Sequence, residues 1–89
     1  MPSEINLTLI DQISCGTRHS LLLKGNSVYS FGNNVYGQLG LGDFITRTIP
    51  TKIIELNLTL NILNISAGGF HSMILTNKGV YTFGWNNVL

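Results

Sequence analysis

ISCGTRHSLLLKGNSVYSFGNN, from Ile13 to Asn34, aligns without a gap to ISAGGFHSMILTNKGVYTFGWN, from Ile65 to Asn86, at an offset of 52 residues. Ile, Ser, Gly, His, Ser, Leu, Val, Tyr, Phe, Gly and Asn recur in place. The differences are mild: Cys15 becomes Ala67, Leu21 becomes Met73, Leu22 becomes Ile74 and Ser30 becomes Thr82. Two copies that meet the same demands at the same positions are the mark of a chain built from stacked structural units. A further echo, NLTL at Asn6–Leu9 and Asn57–Leu60, sits at an offset of 51 and implies a one-residue insertion before Ile65. The chain therefore divides into a lead-in (1–12), a first repeat (13–64) and a second, truncated repeat (65–89) that stops opposite Gly37.

The units read as strands. HSLLLK (His19–Lys24) and SVYSFG (Ser27–Gly32) are short and rich in Leu, Val, Tyr and Phe. They are separated by Gly25-Asn26, which suits a tight hairpin with positive φ at Gly25. Asn77, Lys78 and Gly79 serve the second copy in the same way. VYSF and VYTF alternate with period two, placing Val28 with Ser30 and Tyr29 with Phe31 on opposite faces. IPTKIIEL (Ile49–Leu56) and ILNISAG (Ile62–Gly68) are further strand candidates, with Pro50 at a strand start or on an edge. With no capped helical stripe in the sequence, the fold class is all-β: antiparallel four-stranded units, about 50 residues each, which is the period of a propeller blade.

CGTRHSLLL, VYSFGNN and YGQLGLGD together resemble the repeat of the regulator of chromosome condensation family. Its pattern is a Cys/Ala-Gly pair, His-Ser/Thr, an apolar run, Val-Tyr-Ser/Thr-Trp/Phe-Gly, Asn, then Gly-Gln-Leu-Gly-x-Gly. Gly16, His19, Gly32, Asn34, Gly37, Gln38, Gly40 and Gly42 carry the match in the first unit, and Gly68, His71, Gly84 and Asn86 in the second. The resemblance implies an incomplete part of a seven-bladed β-propeller. Fewer than two blades close no ring, so unpaired strand edges and half-covered faces would meet water. The chain is accordingly expected to be a fragment of a longer propeller, to pair with other propeller repeats, or to self-associate.

Composition narrows the function. Charged residues make up 10% of the 89 residues, far below the usual ~25%. A net charge of +1, with Arg18, Lys24, Arg47, Lys52 and Lys78 scattered along the chain, gives no footprint for nucleic acid or an anionic membrane. No segment approaches the ~20 apolar residues of a membrane span, and MPSEINLTLIDQ has no signal-peptide pattern. An intracellular, unsecreted chain is the expectation, with cytoplasm and nucleus not distinguished. Cys15, the single cysteine, reads as a free buried thiol.

The glycine-rich loop could cradle a phosphate or merely pass close to the protein itself. Gly32 to Gly37 has the G-x-x-x-x-G spacing of a P-loop, but Gln38 and Leu39 stand where Lys and Ser/Thr are required. Nor does a helix follow to present amides to an anion. Gly37 to Gly42 lacks the order of a dinucleotide fingerprint. The glycines are instead expected to allow close passage between units. His19 and His71 head the same strand in both copies, which points to a repeated structural duty such as a hydrogen bond to a loop backbone. Neither can activate the adjacent Ser, because successive strand side chains point to opposite faces. The aromatics read as blade core, since no basic groove accompanies them. No catalytic, cofactor-binding or metal-binding residue emerges, and the chain is expected not to be an enzyme. The family resemblance implies a non-catalytic protein-protein interaction module or a truncated fragment of one, or alternatively part of a guanine-nucleotide exchange factor for a small GTPase.

Overall fold

A computed structural model describes residues 10–53 and 61–84; the NLTL echoes, Trp85 and Asn86 lie outside them. Every regular element among the described residues is a strand: β1 (Ile10–Cys15), β2 (His19–Lys24), β3 (Ser27–Gly32), β4 (Arg47–Lys52), β5 (Ile62–Ala67), β6 (His71–Thr76) and β7 (Gly79–Gly84). They form two antiparallel sheets, ordered β1-β2-β3-β4 and β5-β6-β7.

The repeat in sequence is a repeat in register. β2 pairs β3 from His19↔Gly32 to Lys24↔Ser27, and β6 pairs β7 from His71↔Gly84 to Thr76↔Gly79. Both hairpins turn where the sequence places them, with Gly25 at φ 62°. The Asp11 carboxylate accepts the Gly25 amide at 2.8 Å, which fixes the first turn to β1. In the second hairpin Thr76 Oγ1 donates to the Gly79 carbonyl and accepts the Lys78 amide, so a hydroxyl closes the turn.

The outer strand departs from expectation. β4 runs from Arg47 to Lys52 and not from Ile49, and the 54–56 part of the expected strand lies outside the described residues. RTIPTK has no alternating apolar pattern to define its start. Pairing instead begins where Arg47 meets Gly32, across a register shift between Ser30 and Gly32. Pro50 sits within this strand, and because β4 is the sheet edge its missing N–H removes no ladder bond.

The two sheets pack face to face. Cross-strand partners share a face, so Leu21 and Ser30 lie together, as do Leu23 and Val28. That face meets Ile65 and Ile74 of the second sheet in one buried cluster with Ile53. Leu41, Ile62, Ala67 and Phe83 pack around its rim. Each Leu, Ile or Val removed from water here contributes about 1.5–3 kcal/mol of transfer free energy. Cys15 is not part of this core. β1 turns Asp11, Ile13 and Cys15 to the side away from the second sheet, and the thiol is exposed, contrary to the buried position expected from sequence.

Candidate functional site

The seam between the sheets gathers most of the repeated polar residues. β5 would otherwise present a bare backbone edge to β1. The Gln12 side chain covers it as a peptide group would: its Nε2 donates to the Leu63 carbonyl at 3.2 Å and its Oε1 accepts the Ile65 amide at 3.1 Å. Ser14 Oγ accepts the Ala67 amide at 2.9 Å. At the two ends of the seam the Thr17 amide donates to the Gly68 carbonyl and the Ile62 amide to Asn26 Oδ1. Gly16 is required at this crossing, because a Cβ there would run into the Gly68 carbonyl oxygen.

His19 lies buried in the middle of the seam. Its Nε2 is 2.9 Å from Ser72 Oγ, and Ser72 Oγ donates to the Gln38 carbonyl at 2.6 Å. A hydroxyl has one proton to give. With that proton on Gln38, the imidazole must be the donor to Ser72, which fixes the Nε2–H tautomer. Nδ1 is then a buried lone pair with no partner. Burial therefore lowers the His19 pKa below its ordinary 6.5, opposed by the His71 backbone and reinforced by the His71 ring. The sequence reading expected a bond from this histidine to loop backbone. The ring reaches the loop one step removed, through Ser72.

The glycine loop between β3 and β4 is built around Asn34. Its Nδ2 donates to the Asp43 carbonyl, Asp43 Oδ1 and the Ile45 carbonyl, while its Oδ1 accepts the Leu39 amide. Gln38 Oε1 takes the Tyr36 amide, Asn33 Oδ1 takes that of Val35, and the Gly37 and Gly40 amides bond backbone carbonyls of the loop. The Val35, Tyr36, Gly37, Leu39 and Gly40 amides are thus bonded inside the loop. Asp43 also pairs with Arg47 at 2.8 Å. That guanidinium, then the Ile45 amide, hold its carboxyl below the usual carboxylate range.

What the loop approaches is the second sheet. Gly40 has φ 69°, and a Cβ there would sit 2.7 Å from the Phe83 ring. Tyr36 and Phe70 meet edge to face at 5.2 Å. Gly32, Gly37, Gly42 and Gly84 also have positive φ, with Gly84 set against Gln38 and the His71 backbone. A cleft of about 560 Å³ remains between the loop and β7, lined by Tyr36, Gly40, Phe44, Ile53, Tyr81 and Phe83, with Asp43 the charged side chain at its wall. Among the described residues no group of three or more His, Cys, Asp or Glu could hold a metal ion. Gln12, Ser14 and Ser72 are the seam residues that sequence reasoning did not single out. The signal was there in the recurrence of Ser14 as Ser66 and of an amide at Gln12 and Asn64.

The arrangement of repeated blades joined by a glycine loop matches known proteins. The family model described as "Regulator of chromosome condensation (RCC1) repeat" matches residues 26–75, and a second model of the same repeat matches residues 10–38. The chain belongs to the RCC1 repeat family. It is 43% identical over 74 residues to the human X-linked retinitis pigmentosa GTPase regulator, covering 82% of this chain and 7% of that protein. It is 40% identical over 77 residues to the human probable E3 ubiquitin-protein ligase HERC4, covering 85% of this chain and 7% of that one. The chain thus spans a small part of the length of these relatives. Among solved structures, Prp20p from Saccharomyces cerevisiae superposes with a TM-score of 0.77 at 30% identity, over 89% of this chain and 19% of that one. The chain is part of an RCC1-type propeller, and its two sheets are neighbouring blades.

Proposed function

We propose that this RCC1-repeat chain is a non-catalytic protein-protein interaction module whose outward sheet faces take further repeats of the same kind. One observation carries the reading. On the second sheet's outward face, positions buried in the seam are exposed where the repeat recurs: Leu21 at 0% against Met73 at 39%, Leu23 at 4% against Leu75 at 41%, Val28 at 1% against Val80 at 55%. On the first sheet's outward face Ile13 is exposed at 55% against Ile65 at 5%, while Leu22, the counterpart of Ile74, stays buried at 4%. Apolar residues placed in register on an open face are the pattern of a docking surface. The solved relative Prp20p is described by its binding to Gsp1p and histones, which favours protein partners for this chain too. A second reading, part of a guanine-nucleotide exchange factor for a small GTPase, follows from the family resemblance.

Light scattering on a size-exclusion column, with circular dichroism on the eluted peak, tests the first reading. A discrete β-rich species heavier than the 9.8 kDa monomer is expected. A monodisperse monomer at every concentration overturns it. Release of labelled guanine nucleotide from a small GTPase tests the second, and an unchanged rate on adding the chain is the expected result.

A further inference from the structure

The His-Ser pair that opens β2 and β6 works as a plug and a socket. Adjacent strand positions face opposite ways, so His71 and Ser72 lie on different faces of one sheet, as His19 and Ser20 do. In the seam, His19 of one unit donates through Nε2 to Ser72 of the next at 2.9 Å. Each unit therefore carries a donor on one face and an acceptor on the other. Two members of this series have no counterpart inside the described residues: the His71 ring on the outward side of the second sheet, and the Ser20 oxygen on the outward side of the first.

Resting on the reading of these faces as docking surfaces, we infer that His71 is a recognition residue, donating from Nε2 to Ser20 Oγ of a second copy of the chain. The chemistry of Ser20 fits. Its own proton points at Cys15 Sγ at 3.6 Å, which leaves the oxygen lone pairs free to accept. The His71 ring lies over Gly68 as the His19 ring lies over Gly16, a Cβ on Gly68 meeting the His71 ring at 2.5 Å and one on Gly16 the His19 ring at 2.7 Å. The surroundings repeat as well. Met73, Leu75 and Val80 stand around His71 as Leu21, Leu23 and Val28 stand around His19, and Ile13 of the incoming copy takes the place of Ile65. Ser66 occupies the position of Ser14 and is placed to cover the β1 edge of that copy, while Asn64, at the position of Gln12, already accepts the Ile65 amide through Oδ1 at 2.8 Å. The occupant is a second copy because its first sheet carries Ser20, Ile13 and the β1 edge together, Leu22 beside them being already buried at 4%. The contact is head to tail, between two different faces.

Sedimentation equilibrium of the whole chain, His71→Ala, Ser20→Ala and the double variant tests this, with circular dichroism to show equal β content. Both positions are at the surface, so the variants keep the fold. Each single substitution should weaken self-association roughly 2- to 12-fold, the worth of one hydrogen bond. The double variant should be no weaker than the weaker-binding single, and His71→Gln, which keeps a donor, should recover part of the loss. Association unaffected by either single change, or effects that multiply, overturns the His71–Ser20 contact and leaves the docking faces standing. A parent chain that stays monomeric overturns the docking faces and this inference with them.

Discussion

The first and second sheets are nearly the same sequence in two situations. Leu21, Leu23 and Val28 sit at the bottom of a seam, while Met73, Leu75 and Val80 lie on the surface in the same register. The difference shows that apolar patterning in a repeat is written for the assembly and not for the unit. A strand such as HSMILT looks half-buried on one face and wasted on the other until its counterpart shows what the second face is for. In a solenoid-like or propeller array, stability is the sum of intrinsic unit terms and nearest-neighbour terms. Among the described residues one neighbour term is completed, and the second sheet's outward face leaves Met73, Leu75 and Val80 exposed.

The contrast is sharpest in paired substitutions, measured by urea denaturation followed with circular dichroism. Leu21→Ala should cost about 3 kcal/mol, because it leaves a cavity in a fully buried cluster. Met73→Ala, at the same position on the outside, should cost less than about 1 kcal/mol when measured below the concentration at which the chain self-associates. Equal costs would mean that the second sheet's outward face is already covered in solution. Gly16→Ala should come next, at about 2 kcal/mol, since the new Cβ collides with backbone at the Gly68 carbonyl. Gly68→Ala meets only the half-exposed His71 ring, which can swing aside, and should cost under about 1 kcal/mol.

The pH dependence gives a finer test. Because burial places the folded-state pKa of His19 below its ordinary 6.5, the unfolded chain takes up that proton first on acidification. The stability from keeping His19 neutral is fully present above about pH 6.5 and is lost as pH falls through the lowered folded-state value. His19→Gln, which keeps a donor for Ser72 without a titrating ring, should flatten this slope. A slope unchanged in that variant would place the titration elsewhere. The smallest effect belongs to Asp43, whose carboxyl is held below its ordinary 3.8 by Arg47. Its contribution is present above that value and lost at more acid pH, and Asp43→Asn should change only this acid limb.

Much of this was legible in the sequence because it depends on near neighbours or on the repeat itself. The hairpin at Gly25-Asn26 and the period-two strands follow from local pattern. So does the close passage expected of the glycine loop, where Gly40 meets Phe83. What the sequence hid depends on distance. Asn34 bonds partners up to eleven residues away, and no local rule says which asparagine will do so. Gln12 and Ser14 act on a strand more than fifty residues on, so their duty is invisible until the sheets are placed together. Cys15 misled because small apolar thiols favour interiors, whereas its position on β1 faces away from the partner sheet.

The amide of Gln12 has one more consequence, for the order in which the molecule is made. A ribosome releases β1 before β5, so the side chains that cover the β5 edge have left the tunnel before that edge appears. An exposed strand edge invites pairing with any other chain that offers one. Here the guard is synthesised ahead of the edge it protects.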